Sequence, residues 1–285
     1  YKTDIRISNE GFKQLSESYR KIRNTARFLL GNIYDFNPGE HSVAYAEMEE
    51  LDRWALMKLN RLVEKIEKAY SDYDFHVMLH AIHNFCVVDM SNFYLDVTKD
   101  RMYASEADSK QRRSGQTAMY IILDTLTRLL APVLAFTSEE IWKYIPHTEK
   151  DNPESIMLND WPEVKPEYED HALAEKWERI LEVRETVLKA LENARNEKLI
   201  GQSLQAKVVL KAGKALYDFL EGVKDLLPTV FITSQAELEL MDKNGLEVVV
   251  KPADGQKCER CWMYSDSVGH SHEHPTLCER CSKTV

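Results

Sequence analysis

Four cysteines constrain this chain more tightly than anything else in it. Cys258, Cys261, Cys278 and Cys281 form C-x2-C-x16-C-x2-C, with the letters CERC written twice. Two residues between cysteines let both sulfurs of a tight turn point at one ion, and the longer spacer brings a second turn round to complete a tetrahedron. The spacing predicts one structural Zn2+ held by four thiolates. An iron centre uses the same ligands, but no other redox feature accompanies them. His270, His272 and His274 in the spacer could replace a cysteine, yet four thiolates make them superfluous. Such a site is closed, so its expected work is to fold a segment too small to hold itself together.

The charge of this module can be counted. From Lys257 to Val285 four Lys or Arg balance four Asp or Glu, and a divalent ion with four thiolates adds a formal charge of about −2. The module is therefore no basic patch, and any contact with nucleic acid falls to individual groups. Arg260 and Trp262, beside the first cysteine pair, are best placed: a guanidinium pairs with phosphate or a base edge, and an indole stacks on a base. The alternative for Trp262 is to cap a tiny apolar core.

Upstream the pattern is helical. Phe12, Leu15, Tyr19, Ile22, Ala26, Leu29 and Ile33 fall on one stripe of a helix that Pro38 and Gly39 follow. Its opposite face carries Lys13, Arg20, Arg23 and Arg27. With Lys21 these face one acid, Glu17, between residues 13 and 34, making this the clearest cationic stripe and a candidate RNA contact, although most charged helix faces are simply solvated. A second helix carries Leu51, Trp54, Ala55, Met57, Leu59, Leu62, Ile66 and Ala69, with early acids including Asp52 suited to the macrodipole. A third is expected from about Phe75 to Val97 and a fourth from about Gly115 to Leu130. The polar stretch between them predicts a basic loop, with Lys110, Arg112 and Arg113 as further RNA candidates. "FTSEEIWKYI" predicts a short helix capped by Thr137 or Ser138.

Four prolines between Pro146 and Pro166 mark a boundary. A long helix is expected from about His171 to Lys198. "AKVVLKA" then predicts a strand, "KALYDFLEGVKDLL" a helix, "TVFITS" a strand, and "AELELMDKNGLEVVVK" a hairpin turning at Asn244-Gly245. The fold expected is mainly α: a helical bundle over 1–160, a long helix and small α+β unit over 161–253, and a zinc module over 254–285.

No apolar run approaches the ~18 residues of a membrane span. Nor is there an apolar leader, and four paired cysteines in an unexported chain fit a reducing cytosol, so a cytoplasmic protein is expected. The net charge of −10 argues against indiscriminate nucleic-acid binding. The first residue, Tyr1, points to a processed chain or a piece of a longer one. His76, His80 and His83 recur at helical spacing but lack an obvious carboxylate partner, and Cys86 has the surroundings of a core residue. There is no Gly-rich phosphate loop, nucleophile elbow or H-E-x-x-H, so no active site is visible.

"SYRKIRNTARFLLGNIYDFNP", "ELDRWALMKLN", "NFCVVDMSNFYLDVTKDRMY", "RRSGQTAMY" and "LAPVLAFTSEEIW" occur in this order, followed by "WPEV", "LENARNEKLIGQSLQAKVVL" and "CERCW…LCERC". Together they resemble the tRNA-binding C-terminal half of the bacterial isoleucyl-tRNA synthetases, class I aminoacyl-tRNA synthetases, over essentially the whole chain. The terminal cysteines are what distinguish this resemblance from the related valyl and leucyl enzymes. It implies an anticodon-binding bundle and a zinc module that adds contacts to the same tRNA. It raises the standing of Arg260 and Trp262 and, less firmly, of the basic first helix.

The resemblance implies isoleucine tRNA as partner, a monomer with no membrane contact, and membership of an ATP-dependent ligase. The family's His-Ile-Gly-His and Lys-Met-Ser-Lys-Ser signatures are missing here, as is an editing domain. The chain is thus expected to be a C-terminal fragment that makes no aminoacyl-adenylate, ATP belonging to the absent catalytic domain. The rival readings are a zinc-tethered helical protein-interaction scaffold, slightly favoured by the acidity, and a DNA-repair module, since some DNA glycosylases end in a similar four-cysteine finger.

Overall fold

A computed structural model of the chain describes residues 7–285; Tyr1, on which the expectation of a processed or partial chain rests, lies outside the described residues. The chain forms two compact units. One runs to Thr98 and resumes over Ala107–His171, and the other joins Lys99–Glu106 to Ala172–Val285.

The first unit is helical. Helix α1 (Asn9–Asn32) starts at Ser8, whose hydroxyl accepts from the Gly11 N–H at 3.1 Å. Its expected apolar stripe is buried only in its second half: Ile22, Ala26, Leu29 and Ile33 are core, whereas Phe12 and Leu15 are 57% and 63% exposed. Helix α2 (Glu50–Ser71) buries all eight of its expected apolar positions. Asp52, expected to serve the helix dipole, is buried and accepts from Tyr94 Oη at 2.7 Å and Ser114 Oγ at 2.5 Å. Burial of a carboxylate is tolerable only with such donors.

Helix α3 (Phe75–Asn84) continues through a π-helical stretch, Phe85–Tyr94, into Leu95–Val97, so the expected span is helical throughout. Cys86 is buried within it, and burial pushes its thiol up to about 12.

Helix α4 (Lys110–Leu130) begins before the expected Gly115, with Ser109 Oγ accepting from the Arg112 N–H. The predicted basic loop is corrected accordingly. Arg112 and Arg113 are buried; Arg112 forks onto Asp35 at 2.7 and 2.9 Å, and Arg113 reaches Asp108 at 2.6 Å. A buried guanidinium requires a fixed anion, so these two cations are spent inside the fold and not offered to RNA. The Arg112 fork in turn holds the Asp35 carboxyl down at about 2. Lys110 stays on the surface, 3.6 Å from Glu47.

Helix α5 (Ala135–Trp142) also starts early, following Leu134, so neither Thr137 nor Ser138 is its cap. The Ser138 N–H already donates to the Leu134 carbonyl, and the Thr137 hydroxyl instead meets Tyr19 Oη at 3.0 Å. The proline-rich segment packs onto this unit through Arg128–Asp151 at 2.6 Å and Trp142 Nε1 donating to the Asn152 carbonyl.

In the second unit helix α6 (His171–Asn196) buries Leu173, Trp177, Ile180, Val187, Leu191 and Ala194, as its periodicity predicts. Strand β1 (Ala206–Gly213) is followed by α7 (Lys214–Glu221), α8 (Leu227–Phe231), β2 (Gln235–Met241) and β3 (Leu246–Pro252). "TVFITS" is therefore not a strand. A helical turn lets adjacent Val230 and Phe231 both face the core, whereas a strand would point them to opposite sides. Pro228 sits harmlessly in its first turn, and left-handed Ile232 (φ 57°) ends it.

The expected hairpin is also absent. The sheet order is β2-β1-β3, with β1 parallel to β2 and antiparallel to β3. Ala206, Val208, Val209, Leu210 and Ala212 of β1 are wholly buried, so this strand takes the centre and the two alternating strands take its edges. The Asn244-Gly245 turn arches over the end of β1, where the Gly213 N–H donates to the Gly245 carbonyl. A Cβ at Gly213 would stand 2.8 Å from the Lys243 carbonyl oxygen.

Candidate metal centre and nucleic-acid interface

The cysteines sit on two short scaffolds. Strand β4 (Gln256–Lys257) pairs antiparallel with β5 (Tyr264–Ser265), and the turn between them carries Cys258 and Cys261. Within that turn the Trp262 N–H donates to the Cys258 carbonyl and the Cys258 N–H to the Met263 carbonyl, both at 2.9 Å. Gly255, at φ 82°, permits the approach, since a Cβ there would lie 2.3 Å from the Ser265 carbonyl carbon. Cys278 and Cys281 come from the start and body of the short helix α9 (Glu279–Ser282).

All four Sγ atoms lie within 4.8 Å of one another, and Cys261 and Cys278 are 3.8 Å apart. A tetrahedron with zinc–sulfur bonds of about 2.3 Å has edges of about 3.8 Å. The donor set thus fits a tetrahedral thiolate-bound ion in spacing and chemistry. Burial raises the Cys258 thiol, but backbone N–H donors from Cys261, Cys278 and Arg260 outweigh it and bring the group down to about 6, whereas burial pushes the Cys261 and Cys278 thiols up, so that a bound ion would have to displace their protons.

Three of the cysteines, with Val268, make up the module's buried core, and Cys261 and Leu277 pack against it. So small a core needs the ion to stay folded. The spacer histidines are not in the ligand cluster: His270 and His272 are exposed and His274 half-buried. His76, His80 and His83 form no such cluster among the described residues.

Trp262 is outside that core. It is 55% exposed, with Lys257 Nζ 5.4 Å from its ring centroid, which removes the reading of the indole as an apolar cap. Its backbone is left-handed, φ 65°. That conformation is uncommon for a bulky residue and costs about 1–2 kcal/mol. A ring displayed on the surface at such a cost is available as a stacking platform.

Arg260 is partly committed. Its guanidinium donates to the Ala104 carbonyl in the helix Lys99–Ala104, while Arg280 from the second CERC forks onto Asp100 of the same helix at 2.5 and 2.7 Å. Arg280 was not singled out from the sequence. The repeat itself held the signal, because its two arginines occupy equivalent positions and do equivalent work.

Lys13, Arg20, Arg23 and Arg27 are all exposed along α1. Arg20 lies 3.8 Å from Glu17, and the other three have no ion-pair partner among the described residues. The stripe belongs to the first unit and the cysteine module to the second. Among the described residues no helix is long and apolar enough to cross a membrane.

Residues 52–210 match the family model of the anticodon-binding domain of tRNA ligase, and residues 255–284 match a zinc finger found in FPG and IleRS. That second match and the cysteine cluster together support a structural zinc. The chain is 49% identical over its whole length to an Isoleucine-tRNA ligase of Thermoanaerobacter sp. (strain X514), covering 32% of that protein. It is 54% identical over 99% of its length to the Isoleucine-tRNA ligase of Carboxydothermus hydrogenoformans and 53% identical over 99% to that of Syntrophotalea carbinolica, covering 31% of each. The chain therefore spans about a third of the length of the curated relatives it matches.

Proposed function

The chain belongs to the family of anticodon-binding domains of tRNA ligases, and from that premise we propose that it grips the anticodon arm of isoleucine tRNA as the C-terminal part of an isoleucine-tRNA ligase. In this reading the helical bundle over 1–160 binds the arm, the α+β unit over 161–253 joins it to the module over 254–285, and the chain performs no bond-making step. Activation of isoleucine with ATP belongs to a catalytic domain outside it. The contribution made here is positional: holding the anticodon arm sets where the acceptor end lies.

The observation that carries the proposal is Trp262, an exposed indole held in a left-handed turn between zinc-ligand cysteines. It stacks on an unpaired base, and Arg260, anchored through one nitrogen at Ala104, offers its remaining donors to phosphate or a base edge. Lys13, Arg20, Arg23 and Arg27 pair with backbone phosphates. Zinc, held by Cys258, Cys261, Cys278 and Cys281, is structural and keeps the turn in shape. The protein works as a cytoplasmic monomer.

The zinc-loaded chain is expected to bind isoleucine tRNA more tightly than valine tRNA, and transcripts with exchanged anticodons are expected to exchange affinities. Four phosphate contacts imply a loss of roughly 50- to 150-fold between 50 and 200 mM salt. Equal, weak binding of both tRNAs in filter-binding titrations would defeat the proposal and favour a protein-interaction scaffold.

A further inference from the structure

The cysteine module holds four cations between Lys257 and Val285, and three of them are engaged. Arg260 donates to the Ala104 carbonyl, Arg280 forks onto Asp100, and Lys283 lies 2.7 Å from Glu279. Lys257 is the exception. Among the described residues no carboxylate or carbonyl holds its ammonium, and its neighbour is the Trp262 ring, whose centroid is 5.4 Å away. Since the module carries no excess positive charge, Lys257 is the cation it can turn to a phosphate without breaking a polar contact of its own fold.

The placement of Lys257 suits that task. It closes strand β4, its Cα is paired with that of Tyr264 in β5, and its side chain is exposed. Trp262 stands in the turn between these two strands. Both residues therefore rise from one fixed frame, and the flexible four-carbon stem of the lysine makes it the partner that moves.

Magnitudes decide which group holds the indole. A cation over an exposed ring favours that arrangement by only about two- to fivefold. A base stacked on the same ring is worth about 5- to 150-fold, so the base takes the face from the ammonium. The stacked nucleotide brings a phosphate with it, and an ammonium that pairs with this phosphate releases a counterion. Resting on the assignment of the chain to a tRNA-binding ligase, we propose that Lys257 is a phosphate ligand for isoleucine tRNA and works by exchange. It covers the Trp262 ring in the free protein and passes to the phosphate of the nucleotide whose base stacks there.

The test is filter binding of isoleucine tRNA to the zinc-loaded chain between 50 and 200 mM salt, with Lys257→Gln and Lys257→Arg beside the wild type. Each phosphate contact steepens the dependence of log affinity on log salt by about 0.7–0.9. Lys257→Gln is therefore expected to bind more weakly at 50 mM and to lose about threefold less than the wild type across that range. Lys257→Arg keeps the charge and is expected to restore the slope, and both variants are expected to keep their zinc. The exchange itself is read from the fluorine resonance of Trp262 in fluorotryptophan-labelled chain, assigned by its loss in Trp262→Phe. Lys257→Gln is expected to shift that resonance in the free protein and leave it in place in the tRNA complex.

An unchanged salt slope in Lys257→Gln would overturn the proposal. So would loss of zinc from that variant, which makes the residue structural, or an equal shift of the resonance in free and bound protein, which leaves the ammonium on the ring. The wild type's preference for isoleucine tRNA over valine tRNA is measured in parallel. If that preference is missing, the ligase reading falls and takes the exchange with it; if it holds while the slope is unchanged, the Lys257 proposal falls alone.

Discussion

Replacing Trp262 separates a ring that packs from a ring that is displayed. Trp262→Ala removes the indole and leaves an L-residue at φ 65°; Trp262→Gly removes it and also relieves the left-handed backbone. Stacking on one base is worth about 1–3 kcal/mol, so both variants are expected to lose roughly 5- to 150-fold in affinity for isoleucine tRNA. Stability divides them differently. Both forfeit the half-buried part of the ring and its contact with Lys257, about 0.5–1 kcal/mol for an exposed cation over an aromatic face. Glycine then recovers about 1–2 kcal/mol of left-handed strain, partly offset by about 0.5–1 kcal/mol of extra chain entropy. The glycine variant should therefore hold zinc at least as firmly as the alanine variant while binding tRNA no better. Competition with a chromogenic chelator measures the first and filter binding the second. If either variant keeps wild-type tRNA affinity, or if both shed zinc, the indole is not a stacking platform and the reasoning fails.

Three other perturbations follow from the structure. Removing zinc with a strong chelator should abolish amide protection across residues 255–284 while α2 and α4 keep theirs, as hydrogen exchange would show; simultaneous loss everywhere would contradict a separately held module. Asp35→Asn should cost about 1–2 kcal/mol at pH 7, after allowance for solvent screening of a partly exposed carboxylate. Its folded pKa lies below the unfolded value, so this stabilisation is complete above about pH 5 and disappears as pH falls through about 2; urea midpoints of the two proteins should converge over that range. Gly213→Ala sets a Cβ 2.8 Å from the Lys243 carbonyl oxygen and should destabilise the β-unit by about 1–3 kcal/mol, read as an earlier transition in urea.

The helices were legible because a 3.6-residue period is a local property, and α2 and α6 bury every apolar position their periods point to. Helix starts were less legible. Ser109 caps α4 and Leu134 precedes α5, while the more obvious Thr137 and Ser138 lie inside a turn already begun. Strand pairing is decided at a distance. Asn244-Gly245 is a strong local hairpin signal, but β1, more than thirty residues upstream of that turn and apolar except for Lys207 and Lys211, outcompetes β2 and β3 for each other's edges.

The metal site showed in its spacing alone, since four thiolates two and sixteen residues apart have few other uses. The interface was only half visible. Arg112 and Arg113 looked as free as Arg23 and Arg27 until Asp35, some seventy-seven residues away, proved to be their partner. Periodicity likewise could not show that Phe12 and Leu15 lie on an uncovered part of their stripe.

The helix Lys99–Ala104 belongs to the second unit although it is made long before the rest of it. Two of its fastenings come from Arg260 and Arg280, 156 and 180 residues later in the chain. During synthesis the Ala104 carbonyl and the Asp100 carboxylate gain these partners only after Arg260 and Arg280 have been made. Contacts so remote in sequence form late, so closing the second unit waits on the same segment that supplies the ion's ligands. A ribosome stalled before Cys278 would leave behind a module with half its ligands and a helix still without its Arg280–Asp100 clasp.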